Sequence, residues 1–104
     1  VGKHVYTGSR QPEGCVVLVD GESLEPRLDL VNHSPTGFEW GYLGSGPAQL
    51  ALAMLAHHLG DDQQALELYQ DFKVIVVANL PPVEWSISSA GVEAGLAAIR
   101  AARE

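Results

Sequence analysis

The chain has 104 residues, 46% of them hydrophobic and 18% charged, a balance that fits a folded domain and is too apolar for disorder. At this length one domain over 1–104 is expected, burying roughly two-thirds of its unfolded surface without a disulfide framework. Thirteen acidic against six basic side chains leave a net charge of −7. No Lys or Arg occurs between Arg27 and Lys73, so the basic clusters of a direct nucleic-acid binder are missing.

An acidic surface reads first as a solubility device. The sharper alternative, an acidic decoy for a nucleic-acid-binding partner, is opposed by the scatter of the acids along the chain. The single cysteine, Cys15, has no internal partner, which suits a reducing compartment. No apolar run approaches the ~20 residues of a membrane span, and Val-Gly-Lys-His-Val-Tyr lacks a signal peptide's apolar core. A cytoplasmic protein with no membrane partner is therefore expected, and the sequon-like Asn32-His33-Ser34 carries no weight.

In chain order, the first half reads as strands. Short β-branched and aromatic segments at His4–Thr7 and Cys15–Val19 flank a turn-rich loop at 8–14. Val16-Val17-Leu18-Val19 is apolar throughout, as in a strand covered on both faces. Asp20-Gly21 suits a tight hairpin turn, with Glu22–Leu24 returning antiparallel. Leu28-Asp29-Leu30 alternates like a short edge strand. After Ser34-Pro35-Thr36-Gly37, the alternation Phe38, Trp40, Tyr42 predicts a strand with its aromatics on one face.

Helices dominate the second half. Ser45 is placed to cap a helix opening with Gly46-Pro47. From Ala48 to Leu59 only Gln49, His57 and His58 are polar, so this helix should be buried on all sides. Gly60 fits the left-handed position that ends it. Asp61 with Gln64 forms a capping box for a second helix, in which Ala65, Leu68, Tyr69 and Phe72 recur at helical spacing. Residues 74–77 have strand propensity, but the helical period runs into them without a breaker before Leu80-Pro81-Pro82. Trp85 and Ile87 read as anchors of a connecting segment. Ser88 or Ser89 caps a last helix through Val92, Leu96 and Ile99, weakened by Gly91 and Gly95. The fold class expected is α+β, a small antiparallel sheet from the N-terminal half packed against two to three C-terminal helices.

One stretch invites a chemical reading. Gly44-Ser45-Gly46-Pro47 opens a helix, where free N–H groups and the helix dipole favour anions. The candidate ligand-binding residues are Trp40, Tyr42, Gly44, Ser45, Gly46 and Ala48. Against a nucleotide stand the absence of a P-loop Lys-Ser/Thr, the donor lost at Pro47, and Glu39 as the nearest charge. The architectural alternative is that small residues let the turn pass close to the sheet and hand over to the buried helix. His57 and His58 with Asp61 and Asp62 have i, i+4 spacing, but adjacent histidines diverge by about 100° on a helix and Gly60 breaks the register. No metal site is assigned. Cys15 and the serines Ser86, Ser88 and Ser89 assemble no catalytic set, so no catalytic residue and no cofactor are expected.

The string from Phe38 to Ala53, FEWGYLGSGPAQLALA, resembles the hallmark of a bacterial, archaeal and phage family known only as a domain of unknown function. The resemblance extends to Tyr6-Thr7-Gly8-Ser9-Arg10, Val19-Asp20-Gly21, Tyr69 with Phe72-Lys73, and Leu80-Pro81 with Trp85. It implies a stand-alone domain without an established activity. Together these readings favour a non-catalytic module that binds a protein partner or a second copy of itself. An anion or nucleotide binder, or small enzyme, at Gly44–Ala48 is the alternative.

Overall fold

The computed structural model describes residues 3–104. Two strands, β1 (Val5–Gln11) and β2 (Gly14–Val19), form a hairpin closed by Pro12-Glu13, and β3 (Glu22–Ser23) returns after the Asp20-Gly21 turn. The helices are α1 (Ser45–Leu59), α2 (Asp62–Ile75) and α3 (Ser89–Arg103); a fourth strand, β4 (Glu84–Ser88), lies between the last two. The sheet is antiparallel throughout, in the order β3-β2-β1-β4. This is an α+β fold. No helix among the described residues is long and apolar enough to cross a membrane.

The sheet buries one face. Tyr6, Val17, Val19 and Trp85 point into the core, while Val5 on the alternate face is 44% exposed, as the period of two requires. On the inner face lies α1, whose residues Gly46–Ala56 are all buried. A helix this apolar all round gains its stability from neighbours on every side. Its end is built as expected, with Gly60 at φ 64° and its N–H donating to the Ala56 carbonyl. In α2, the Asp61 side chain accepts from the Gln64 N–H, and Ala65, Leu68, Tyr69 and Phe72 form its buried face.

Five expectations need correcting. The loop expected at 8–14 is mostly strand, because β1 continues to Gln11 and leaves a two-residue turn. Leu28-Asp29-Leu30 is a turn: Arg27 stands at φ 57° and its carbonyl accepts from the Leu30 N–H. No strand forms at 38–42, since Gly41 adopts φ 84° and gives its N–H to Val77. That positive φ ends the pleat, so Trp40 is fully buried while Tyr42 swings out to 51% exposure. The cap residue of α1 is Gly44, not Ser45, and no side chain caps it.

The last correction concerns Trp85 and Ile87. They belong to β4, paired with β1 at Gly8 and Tyr6, and are not anchors of a connecting segment. The short strand has no glycine-bounded hydrophobic run to announce it; long-range pairing with β1 decides it. Residues 74–77 form no strand: α2 ends at Ile75 and a short 3-10 turn covers Val77–Asn79. Ser88 caps α3, accepting from the Gly91 N–H. A Cβ at Gly95 would come within 2.7 Å of Val76 and 3.1 Å of Phe72, so this glycine trades helix propensity for close approach to α2.

Candidate functional site

The turn before α1 is closely packed. Trp40 is buried, with its Nε1–H donating to the Pro82 carbonyl at 3.1 Å and its ring edge-on to Trp85 at 5.6 Å. Arg10 lies over the same indole, 4.8 Å from the ring centroid, and donates through Nε to Pro82 and through Nη1 to Glu39 at 2.8 Å. Burial opposes it, yet the Arg10 guanidinium and the Cys15 thiol hold the Glu39 carboxyl below the usual range. Burial and the neighbouring Glu39 push the Cys15 thiol up, which leaves it a poor nucleophile. Gly46 meets the Glu39 side chain so closely that a Cβ there would fall 2.5 Å from it.

Of the six candidate ligand-binding residues, Trp40, Gly46 and Ala48 are buried, whereas Tyr42 and Ser45 are exposed and Gly44 is half-buried. The Ala48 N–H donates to the Gly44 carbonyl at 3.0 Å, and Pro47 carries none. Gln49, which the motif places one turn into α1, is fully buried and fully engaged. Its Oε1 accepts from the His33 and Ser34 N–H groups at 2.8 and 3.1 Å. Its Nε2 donates to the Pro26 and Val31 carbonyls at 2.6 and 3.1 Å. One amide thus holds the 26–34 loop, which has no regular structure of its own.

A second centre lies at the other end of α1. A cleft of about 370 Å³ opens between the 19–27 segment and α1, floored by Val19, Leu24 and Ala53 and walled by His57. The Asp20-Gly21 turn brings Asp20 beside the start of β1, where its carboxylate accepts the Val5 N–H at 2.9 Å and meets His4 Nδ1 at 2.7 Å. Those two bonds hold the Asp20 pKa below its ordinary value. His4 stands edge-on to His57 at 4.8 Å. His57 in turn shares its Nδ1 with the Tyr6 hydroxyl at 2.8 Å.

The protons in this group can be placed. Tyr6 is fully buried, and burial, with Asp20 nearby, pushes its pKa up to about 12; it stays protonated at neutral pH. Its hydroxyl hydrogen needs an acceptor, and His57 Nδ1 is the one within reach. Burial and the neighbouring His4 pull the His57 pKa below the usual imidazole value. His57 is thus neutral, with its proton on Nε2. From the sequence, the spacing of His57 to Asp61 raised a metal site that was not assigned. Here Asp61 caps α2, Asp62 pairs with Arg27 at 2.8 Å, and His58 turns into the core towards Glu93. The joining of His4, Tyr6 and Asp20 to His57, which lies 51 residues beyond Tyr6, had no local signal beyond the hairpin turn at Asp20-Gly21.

The profile of a family described only as a family of unknown function, DUF6166, matches residues 6–98. The chain belongs to that family. The DUF6166 match spans nearly all of the sheet, α1, α2 and most of α3; it includes the turn before α1 and, apart from His4 and the Val5 N–H, the second centre. No curated protein and no solved structure matches the chain.

Proposed function

We propose that residues 1–104 act as one binding module that works by engaging a protein partner or a second copy of itself, without catalysis of its own. The observation that carries this reading is an apolar corner formed by two adjoining segments. Gly41 packs on the backbone at Leu80 and Pro82, which brings two neighbouring segments to the surface together. On them Leu43 is 62% exposed and Val83 69% exposed, with Tyr42 beside them. Large apolar side chains gathered on adjoining segments mark contact surfaces more often than isolated ones do, and a tyrosine with apolar neighbours suits an interface core. A lone free cysteine fits a reducing compartment and hence the cytoplasm.

The test compares the wild-type chain with the double variant Leu43→Asp, Val83→Asp. Light scattering across a wide concentration range and affinity capture from a native lysate should show self-association or a retained protein. The double variant should weaken it by at least about tenfold, as expected for loss of a central apolar contact. A wild-type chain that stays monomeric and retains nothing, or a variant that associates equally well, overturns the reading.

A further inference from the structure

We propose that the cleft between the 19–27 segment and α1 binds an alkylammonium group, with its charge among Asp20, Glu22 and Glu25 and its hydrocarbon stem on Val19, Leu24 and Ala53. This site is independent of the apolar corner. All eight side chains in the argument, these six with Arg27 and His57, line one concavity. Its volume of about 370 Å³ lies at the small end of the range for ligand pockets.

The carboxylates by themselves would make only a hydrated rim. What turns them into a site is the combination of an apolar floor with walls that present no free positive charge. Among the described residues, Arg27 is the one Lys or Arg in the lining. Its guanidinium is occupied by two carboxylates, meeting Asp29 at 3.0 and 3.1 Å and Asp62 at 3.0 and 2.8 Å. His57, the other nitrogenous wall, meets the Tyr6 hydroxyl through Nδ1, and burial with the neighbouring His4 holds its pKa below the ordinary imidazole value. Asp20 is fixed in place by His4 and the Val5 N–H. Glu22 and Glu25 have no ion-pair partner among the described residues. An anion entering this cleft would meet unpaired carboxylates, and so would a second copy of a chain with net charge −7. A compact cation with an aliphatic stem satisfies both the floor and the rim.

The shared chemistry has two sources, a free aliphatic diamine and the lysine side chain of a protein. The probe for the first is 1,4-diaminobutane, titrated into the wild-type chain and followed by backbone-amide NMR, with 1,4-butanediol as the uncharged control. Saturable shifts at Leu24, Ala53 and His57, absent with the diol, are expected. The exposed, isosteric double variant Glu22→Gln, Glu25→Gln should bind the diamine about tenfold more weakly, with the remaining spectrum unchanged. Added salt should weaken wild-type binding. A parallel titration with Nα-acetyl-lysine methylamide assigns the source: equal binding points to a protein lysine, diamine-only binding to a free amine. If the wild-type signals stay still, if the diol binds as well as the diamine, or if the glutamine variant binds as tightly, the proposal is wrong.

Discussion

The two ends of α1 treat their polar residues in opposite ways. Near the first turn, Gln49 is fully buried and all four of its hydrogen-bonding positions are matched by backbone groups of the 26–34 loop. In the last turn, His58 is also buried, yet among the described residues only its Nε2 has a partner, Glu93, and its Nδ1 has none. Beside it, His57 reaches the surface and the cleft. A buried polar group whose capacity is filled by its own chain is architecture. By this measure Gln49 serves the fold, whereas at the other end His57 lines the cleft.

The comparison breaks most sharply at Gln49. Replacing it with Leu keeps the volume but strands two N–H groups and two carbonyls of half-buried residues, each of which costs up to about 1–3 kcal/mol when left unsatisfied. Part of that is recovered if the loop loosens and admits water. A net loss of about 4 kcal/mol is expected in urea unfolding, with protection from hydrogen exchange falling first at residues 33 and 34. A loss below about 1 kcal/mol would mean the loop is held by something other than this amide.

His58→Leu sharpens the contrast from the other side. It deletes the bond to Glu93, whose side chain is 54% exposed and can be hydrated instead, and it also deletes the orphaned Nδ1. Removing an unsatisfied buried atom offsets the loss of one hydrogen bond, so stability should stay within about 1 kcal/mol of wild type. If His58→Leu proved as damaging as Gln49→Leu, the two buried polar groups would be equivalent and the distinction between the ends would fail.

How far this arrangement could be read from the chain follows the range of the forces involved. The three helices were legible because their periodicity, the Asp61 cap and the Gly60 stop are local. The all-round burial of α1 was equally plain from its composition. The aromatic alternation at Phe38, Trp40 and Tyr42 misled, because one backbone angle at Gly41, set by its bond to Val77, outweighs a pattern of three side chains. Likewise β4 depends on a partner nearly 80 residues away in sequence, and no local feature of Glu84–Ser88 encodes that. Within the candidate sites, Trp40 and Gly46 were marked by the motif, with a ligand-binding reading and an architectural one both drawn from it. The Gln49 clamp and the Tyr6–His57 pair were missed because each joins side chains to groups that only tertiary folding brings near.

The smallest expected effect lies in pH. His57 titrates below the ordinary imidazole value in the folded chain, through burial first and His4 second. Between that depressed value and the unfolded value of about 6.5, the unfolded chain binds more protons than the folded one. Stability contributed by the Tyr6–His57 pair is therefore complete above about pH 6.5 and is lost as the pH falls through this window. The ring is exposed, so solvent screening limits the effect to about 0.5 kcal/mol. Asp20, also depressed, acts lower: its contribution is lost only as the pH falls below the ordinary carboxylate range. Urea midpoints for wild type should decline from pH 7.5 to 5.5, in a window where Asp20 remains ionised. A His57→Gln variant can still accept from Tyr6 through its side-chain oxygen but cannot titrate, so its midpoint should decline less. Parallel profiles for the two proteins would show that the Tyr6–His57 bond tolerates a second proton on the imidazole, and that His57 is not held neutral at the cleft wall.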